Sequence, residues 1–290
     1  MTKVLPQSKI GLVPLNWRYV PAKMQDFLTR IGGYGFTGIQ ISGDQSQSVN
    51  FLDEMRAREI APAEQYVAIR CGQDGPLPGS EGESMTTIRQ AIAAQVEMLV
   101  FAVDGTEERD RCAGRATAGP QMSESGFTQL ADHVQTFAKL AKEHGIKSSF
   151  HPHAATYVET ESETRTLMAH MDPSLVGFCL DVGHWIVGGA DPISAINEFR
   201  NRITHVHVKD VNGEILQELV SGKIDSMNTA VEEFKLFVPA GTGMLNLREL
   251  FLALESVSFT GWLMSEQDSA WEPSEAASGV SIANITAALT

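Results

Sequence analysis

Cysteine is scarce in this sequence: its 290 residues include only three, and no two of them form a CxxC motif. Three widely spaced cysteines indicate neither a disulfide framework nor a thiolate zinc site. Long apolar runs are missing as well. No stretch approaches the ~18 apolar residues of a membrane-spanning helix, and the first residues lack the apolar segment of a secretory signal. We therefore expect a protein of the reducing cytoplasm that spans no membrane.

Basic residues are also few. The chain has 22 Lys and Arg against 36 Asp and Glu, which gives a formal charge of −14 and a sequence pI near 5.0. Because nucleic-acid phosphates and anionic membranes select positively charged surfaces, we expect neither as a partner. The remaining composition, 43% hydrophobic and 20% charged, is typical of a globular protein and excludes disorder and coiled coil.

Short apolar segments alternate with amphipathic segments of helical length along nearly the whole chain. This alternation is typical of repeated βα units around a buried parallel sheet. Eight segments are predicted strands: Lys9–Trp17, Gly38–Ser42, Ala61–Ile69, Met98–Val103, Lys147–His153, Gly177–Gly183, Thr204–Asp210 and Gly261–Glu266. The predicted helices between them are Ala22–Gly33, Val49–Arg58, Met85–Val96, Gly126–His144, Glu163–Met171, Pro192–Phe199 and Leu245–Leu254.

Eight such units in a chain of this length predict a single α/β domain over residues 1–290, a (β/α)8 TIM barrel. No linker rich in Pro, Gly or Ser divides the sequence. An open, doubly wound sheet is the alternative architecture, but it would normally carry a glycine fingerprint after its first strand, and residues 17–19 are not one. In a TIM barrel the active site lies at the C-terminal ends of the strands.

Ionisable residues are concentrated at the ends of the last four predicted strands: His151, His153, Asp181, His184, His205, His207, Lys209, Asp210, Glu266 and Asp268. A lone histidine at a strand end is most often a hydrogen-bonded structural residue. Four consecutive strands that each deliver such groups to one barrel mouth indicate instead a divalent-metal site, because burying an unpaired charge costs several kcal/mol. Side chains alternate along a strand, so His205, His207 and Lys209 are expected to face the barrel interior.

A mixed set of histidines and carboxylates suits Mn²⁺, Co²⁺, Mg²⁺ or Zn²⁺, and without thiolates to favour zinc we expect manganese or cobalt. Such an ion beside a carbonyl stabilises an enediolate and makes an α-proton removable near neutral pH. The candidate bases are a histidine, a buried carboxylate of raised pKa, and Lys209 if a neighbouring cation lowers its pKa. These residues support isomerisation, epimerisation or β-elimination on a polyol, and they do not choose among them.

Several segments resemble a known family: FHPHAATYVET (150–160), GFCLDVGHWIVGGADP (177–192), ITHVHVKDV (203–211), FVPAGTGMLNLREL (237–250) and GWLMSEQD (261–268). The order of an LDxGH strand, an HVHxKD strand and a final EQD segment is similar to that of the xylose-isomerase-like, or AP endonuclease 2-type, TIM barrels. Within that superfamily the HPHAATYVET segment resembles the inosose dehydratases of inositol catabolism.

The resemblance implies metal ligands on four strands. Asp181, His207 and Glu266 match three of the family's ligands, and His151 stands where sugar isomerases and epimerases of the superfamily have a glutamate. This difference argues against a simple ketose epimerase, and it leaves open whether His151 is a ligand or an acid–base residue. His184 matches a superfamily histidine that binds a second metal or the substrate.

The implied reaction is dehydration of 2-keto-myo-inositol (scyllo-inosose), in which a base removes the α-proton and the β-hydroxyl leaves as water. His151 or His153 is the expected general acid. The full set of candidate catalytic residues is His151, His153, His184 and Lys209. Substrate contacts are expected from Asp210 and from three aromatic residues, for which packing is the equal alternative: Trp17, Tyr157 and Trp185.

Other functions remain open on the sequence alone. The nearest is a metal-dependent isomerase or epimerase of a sugar or cyclitol. An endonuclease of the same barrel type is disfavoured by the charge of −14, and a sugar-binding barrel with a decayed site is the non-enzymatic alternative. The resemblance also implies a homodimer or homotetramer that acts on a small polyol.

Overall fold

Eight parallel strands close into a barrel in the computed structural model, which describes residues 3–17, 19–271 and 273–290. They are β1 (Lys9–Leu12), β2 (Gly38–Gln40), β3 (Ala61–Ile69), β4 (Met98–Val103), β5 (Lys147–Phe150), β6 (Gly177–Asp181), β7 (Ile203–Val208) and β8 (Trp262–Ser265). Each strand pairs with its neighbours in the chain, and β1 pairs with β8 to close the ring. The predicted (β/α)8 barrel is confirmed.

The helices surround the barrel or lie in its loops. They are α1 (Met24–Gly33), α2 (Gly43–Ser46), α3 (Val49–Ala57), α4 (Ser80–Ala94), α5 (Glu107–Asp110), α6 (Glu124–Glu143), α7 (Glu161–Ala169), α8 (Val182–Val187), α9 (Pro192–Glu198), α10 (Gly213–Ser221), α11 (Met227–Glu232), α12 (Leu247–Ser256) and α13 (Ser274–Leu289). The seven predicted helices correspond to α1, α3, α4, α6, α7, α9 and α12. The others are short, except α13, whose apolar residues do not form a single face.

Two strands end earlier than predicted because prolines follow them. β1 ends at Leu12 and β5 at Phe150. Pro14 and Pro152 have no backbone N–H to donate, so the parallel ladder cannot continue past them. A third strand, β6, ends at Asp181 because the Asp181 side chain caps α8, where the sequence analysis had extended the strand to residue 183.

Two β-bulges place additional polar side chains inside the barrel. Between β2 and β3 the register advances from Pro62 to Glu64 against consecutive residues of β2, and between β6 and β7 it advances from Ile203 to His205. A bulge changes the face to which the following residues point. Glu64 and His205 therefore face the barrel interior, and both are fully buried.

Apolar side chains fill the lower barrel. Trp262, Met264, Val13 and Ala63 form one interior cluster, and Cys179 joins a second one. At the N-terminal end Trp262 Nε1 donates to Glu97 at 2.9 Å. Cys179 lies in this core, and burial raises its thiol pKa to about 11. The apolar layer formed by these two clusters lies below the ionisable groups of the barrel mouth.

An insertion between β7 and β8 covers part of the barrel mouth. It contains α10 and α11, and a short antiparallel pairing of Asp210–Val211 with Phe237–Val238 fastens it at its base. Its apolar side chains pack against Ala113 and Ala155 in the loops after β4 and β5. Among the described residues, no helix combines the length and apolar character required to cross a membrane.

Candidate metal centre and active site

Four side chains from four successive strands converge at the C-terminal end of the barrel. His151 follows β5, Asp181 ends β6, His207 lies in β7 and Glu266 follows β8. One nitrogen or carboxylate oxygen of each lies within 4.8 Å of the corresponding atoms of the other three. All four residues are at least nine-tenths buried. The structure therefore brings together the four residues predicted as metal ligands.

Hydrogen bonds to the backbone and to neighbouring strands orient these groups. Asp181 Oδ1 accepts the backbone N–H of His184 at 2.8 Å, which leaves Oδ2 to face the centre. That oxygen lies 3.3 Å from His151 Nε2 and 3.6 Å from His207 Nδ1. His207 Nε2 points the other way and lies 3.0 Å from Glu64 Oε2. Each side chain thus offers one atom to a common point.

The donor set fits a divalent transition ion. Ligand atoms at about 2.1 Å from one ion are at most about 4.2 Å apart, and the distances around Asp181 Oδ2 lie within that limit. His207 Nδ1 and Glu266 Oε2 are buried without an aligned hydrogen-bond partner, although the two atoms lie 2.5 Å apart. A buried ring nitrogen and a buried carboxylate oxygen that face each other this closely can share a bound cation. Two nitrogens and two carboxylates suit Mn²⁺, Co²⁺ or Zn²⁺.

Lys209 is a buried internal cation beside this centre. Its Nζ lies 3.2 Å from Asp181 Oδ2, 3.2 Å from Glu266 Oε1 and 2.8 Å from Asp268 Oδ2. Burial alone would lower the lysine pKa, but these three carboxylates outweigh it and raise the pKa above its usual value. The sequence analysis considered Lys209 as a base of lowered pKa; in this structure it is instead a charged donor.

His153 and His184 form a stacked pair on the solvent side of the centre, with ring centroids 3.6 Å apart. His153 Nδ1 lies 2.6 Å from the carbonyl oxygen of Ala154 and donates to it, so Nε2 keeps its lone pair. Burial, together with the nearby charges of His151 and Lys209, lowers the His153 pKa to about 3. His153 is therefore neutral at pH 7 and can accept a proton.

His184 accepts a hydrogen bond from Lys209, with Nε2 and Nζ 2.8 Å apart. Burial and the neighbouring His153 and Lys209 lower its pKa well below the usual value. Phe237, from the insertion, lies over both groups, with 5.3 Å between its ring and that of His184. Burial raises the pKa of Asp268 to about 7. Its side chain is still 17% exposed and marks the side of the site that is open to solvent.

Glu64 is the site residue that the sequence analysis missed. Its Oε2 contacts the Nε2 atoms of both His205 and His207, and the charges and hydrogen bonds of these histidines overcome burial to keep its pKa far below normal. An ionised carboxylate only accepts, so both imidazoles must donate N–H to it. The available signal was a single charged residue within the apolar β3 segment.

The three aromatic residues expected to contact substrate pack within the protein in this structure, which is the alternative that the sequence left equally open. Trp185 lies edge-on to Phe178 and Phe199, in the layer between the strands and the helices. Trp17 donates its N–H to Ser278 of α13 at 2.9 Å. Tyr157 is buried under its own loop beside Arg109. Sequence proximity to the mouth did not reveal the direction of these side chains.

Asp210, the fourth expected substrate contact, is fully buried, and its carboxylate binds the protein backbone. Its carboxylate accepts four backbone N–H groups, at 2.8 to 2.9 Å, from Val211, Gly241, Gly243 and Leu245. A side chain at position 243 would collide with this carboxylate, since an added Cβ would lie 2.6 Å from Asp210 Oδ1. The segment Gly241–Gly243 is therefore wrapped around Asp210.

A buried ion-pair network holds the loops after β4 and β5 together. Arg109 is fully buried and lies 3.0 Å from Glu163 and 4.0 Å from Glu159. Glu159 also accepts the backbone N–H groups of Gly114 and Ala155 at 2.8 Å. Because Ala155 follows directly after the segment that carries His151 and His153, this network fixes the backbone next to both histidines.

The fold and the donor set define the class of protein, and comparison with known proteins agrees with it. The family model described as xylose isomerase-like TIM barrel matches residues 30–286. The curated inosose dehydratase of Geobacillus kaustophilus is 36% identical over 286 residues, which cover 93% of this chain and 91% of that protein. The chain therefore belongs to the xylose isomerase-like TIM-barrel family, and within it to the inosose dehydratases. It is an enzyme of the hydro-lyase class.

Two solved structures have the same fold at low sequence identity. One is the IolI protein with a bound zinc atom, with a TM-score of 0.68, 15% identity and coverage of 96% of both chains. The other is the apo form of the 3-keto-D-glucoside 4-epimerase YcjR from E. coli, with a TM-score of 0.71, 16% identity and coverage of 97% of this chain and 99% of that one. At these identities the similarity concerns the fold alone.

Proposed function

We propose that this enzyme dehydrates a keto-cyclitol of the scyllo-inosose type in a metal-dependent β-elimination. The observation that carries the proposal is the similarity to an inosose dehydratase along nearly the full length of both chains. The convergence of His151, Asp181, His207 and Glu266 beside a neutral histidine supports it with suitable chemistry.

His151, Asp181, His207 and Glu266 would hold the divalent ion, manganese or cobalt by preference. When bound, the ion supplies Lewis-acid polarisation of a ketone oxygen. His151 takes the first ligand position through Nε2, which already faces Asp181 at 3.3 Å. This assignment leaves His153 as the histidine free for proton transfer.

The proton is handled by His153 and the developing negative charge by Lys209. His153 Nε2 accepts the proton from the carbon next to the ketone, while its Nδ1–H stays bonded to Ala154. Lys209 holds negative charge on the substrate oxygens with its ammonium group. The bond to the β-hydroxyl then breaks, the electron pair of the former C–H bond forms the new double bond, and His153 returns its proton to the leaving oxygen as water.

The test is direct incubation of the purified protein with scyllo-inosose after metal analysis. We expect about one transition ion per chain and the ultraviolet absorbance of the unsaturated dione product. A change of ring configuration without loss of water, detected by NMR, would indicate the epimerase alternative. Metal-loaded protein that leaves scyllo-inosose unchanged would refute the proposed substrate.

A further inference from the structure

Glu64 lies in an unusual environment for a carboxylate. It is in the middle of β3, is completely buried, and is the only charged residue of that strand. The β-bulge at Ala63 turns its side chain into the barrel, below the level of the four candidate ligands. Burying an ionised group at such depth is costly unless it has close partners, so its contacts should indicate its role.

The contacts of Glu64 are concentrated on one oxygen. Oε2 receives both the Nε2–H of His205 and the Nε2–H of His207, the latter at 3.0 Å, whereas Oε1 has no hydrogen-bond partner. Because His207 gives its Nε2–H to Glu64, Nδ1 is the ring nitrogen left to bind a metal ion. Nδ1 is the atom that faces Asp181 and Glu266.

We propose that Glu64 is a positioning residue for the metal centre, which sets the tautomer and ring orientation of His207 and thereby presents Nδ1 as a ligand atom. This inference rests on the metal centre of the proposed function. His205 serves as the second anchor that holds Oε2 in place. A carboxylate behind a ligating imidazole also makes its nitrogen more basic, and losing such a partner typically weakens metal binding by about 10 to 100-fold.

The substitution Glu64→Gln isolates this role with almost no change in volume. If the amide NH₂ replaces Oε2, it donates to His207 Nε2 and forces the ring proton onto Nδ1, which blocks the ligand atom. If the amide oxygen takes that place, the two imidazoles share a weaker, uncharged acceptor. In both arrangements His207 becomes a poorer ligand, although no ligand has been removed.

The experiment compares wild type, Glu64→Gln and Glu163→Gln, each titrated with Co²⁺ in competition with a chromophoric chelator. Glu163→Gln is the matched control, because it neutralises another buried carboxylate that contacts Arg109 rather than the ligands. We expect Co²⁺ binding to weaken about 10 to 100-fold in Glu64→Gln only. Proton NMR of the Co²⁺ forms gives a second readout, in which the shifted N–H signal of the His207 ring should be protected from solvent exchange in wild type and exchange rapidly in Glu64→Gln.

The outcomes separate this inference from the proposed function. Equal Co²⁺ affinity and an equally protected N–H signal in wild type and Glu64→Gln would overturn the positioning role. Failure of wild type to bind Co²⁺ would refute the metal centre itself. Circular dichroism and thermal unfolding of the metal-free forms show whether Glu64→Gln and Glu163→Gln lose stability. If both variants are destabilised and their Co²⁺ affinity weakens in parallel, the effect is structural and the inference is overturned.

Discussion

At the scale of single residues, the site combines the neutral His153 with the charged Lys209. Both groups are buried within a few ångströms of the candidate ligands. His153 owes its low pKa to burial and to the neighbouring charges of His151 and Lys209, whereas Lys209 owes its raised pKa to three carboxylates. Groups with oppositely shifted properties in one site are typical of acid–base catalysis. Two substitutions distinguish their roles.

His153→Ala should lower kcat by at least 10²-fold while leaving the metal content unchanged, because the proposed function assigns the proton transfer to His153 and metal binding to four other residues. Steady-state turnover and metal analysis of the same preparation measure both effects. His133→Ala is a suitable control, since His133 is a half-buried histidine of α6 bonded to Ser84. Near-normal turnover in His153→Ala would refute the assignment.

Lys209→Met should have opposite effects on catalysis and metal binding. Turnover should fall because the cation that meets the developing charge is lost. Metal affinity should rise tenfold or more, because an ammonium group 3.2 Å from oxygens of Asp181 and Glu266 repels a second cation strongly in a partly desolvated site. Chelator competition measures the affinity, with the exposed Lys139→Met as control. Unchanged or weaker binding would contradict this electrostatic account.

At the scale of secondary-structure elements, loops around the mouth are held by buried carboxylates. Asp210 accepts backbone N–H groups from residues 241–245, and Glu159 accepts backbone N–H groups from the loops after β4 and β5. Hydrogen bonds from backbone N–H groups to an ionised carboxylate are roughly twice as strong as those between neutral groups. These two residues therefore stabilise the loops while leaving the ligands to the strands.

Asp210→Asn should lower the free energy of unfolding by roughly 2 to 5 kcal/mol, since an amide cannot accept four N–H groups from two sides. Urea denaturation measures the change. Asp191→Asn is a matched control: Asp191 caps α9, and asparagine is an equally good N-cap, so its effect should stay within about 0.5 kcal/mol. Equal effects of both substitutions would contradict the role of Asp210 as the loop anchor.

Glu159 should make stability depend on pH. Burial raises its pKa to about 7, against the opposing effects of the Gly114 and Ala155 N–H groups and of Arg109. Because the folded state holds its proton more tightly than the unfolded chain, stability should fall as the pH rises from about 4.5 to 7, by roughly 3 kcal/mol. Urea unfolding at pH 5 and pH 8 tests this. In Glu159→Gln the difference between the two pH values should be smaller by that amount, and an unchanged difference would refute it.

The elements were predictable where burial alone determines them. All eight barrel strands were located, because strands covered on both faces are continuous apolar runs. Their ends were not, since these depend on Pro14, Pro152 and the cap formed by Asp181. The short helices α10 and α11 were also missed, because their apolar residues acquire a buried face only by packing on other loops.

In the candidate site, the sequence predicted the residues at strand ends but not those whose position depends on packing. The convergence of the four candidate ligands follows from their places at strand ends. The role of Glu64 does not, because it depends on a bulge between β2 and β3 and on histidines far away in the sequence. The directions of Trp17 and Trp185 depend on side-chain packing, which the periodicity of the sequence does not specify.

At the scale of the whole molecule, the candidate ligands connect four of the eight strands. An ion held only by the folded barrel stabilises it by mass action, by about 4 kcal/mol when the free metal is 1,000 times Kd. For a chain of this size we expect chelation to lower Tm by roughly 8 °C. Differential scanning fluorimetry with and without EDTA measures the shift, and Asp181→Ala should show almost none. An equal shift in that variant would contradict binding at this centre.

The tryptophan that seals the lower end of the barrel has a consequence for turnover. Trp262, with its hydrogen bond to Glu97, fills that end, so under the proposed function water and the ring product would leave through the mouth beside Asp268. The product that leaves last would then limit the rate of turnover. A bulky solute bound at the barrel mouth should therefore inhibit the enzyme even if it does not bind the metal ion.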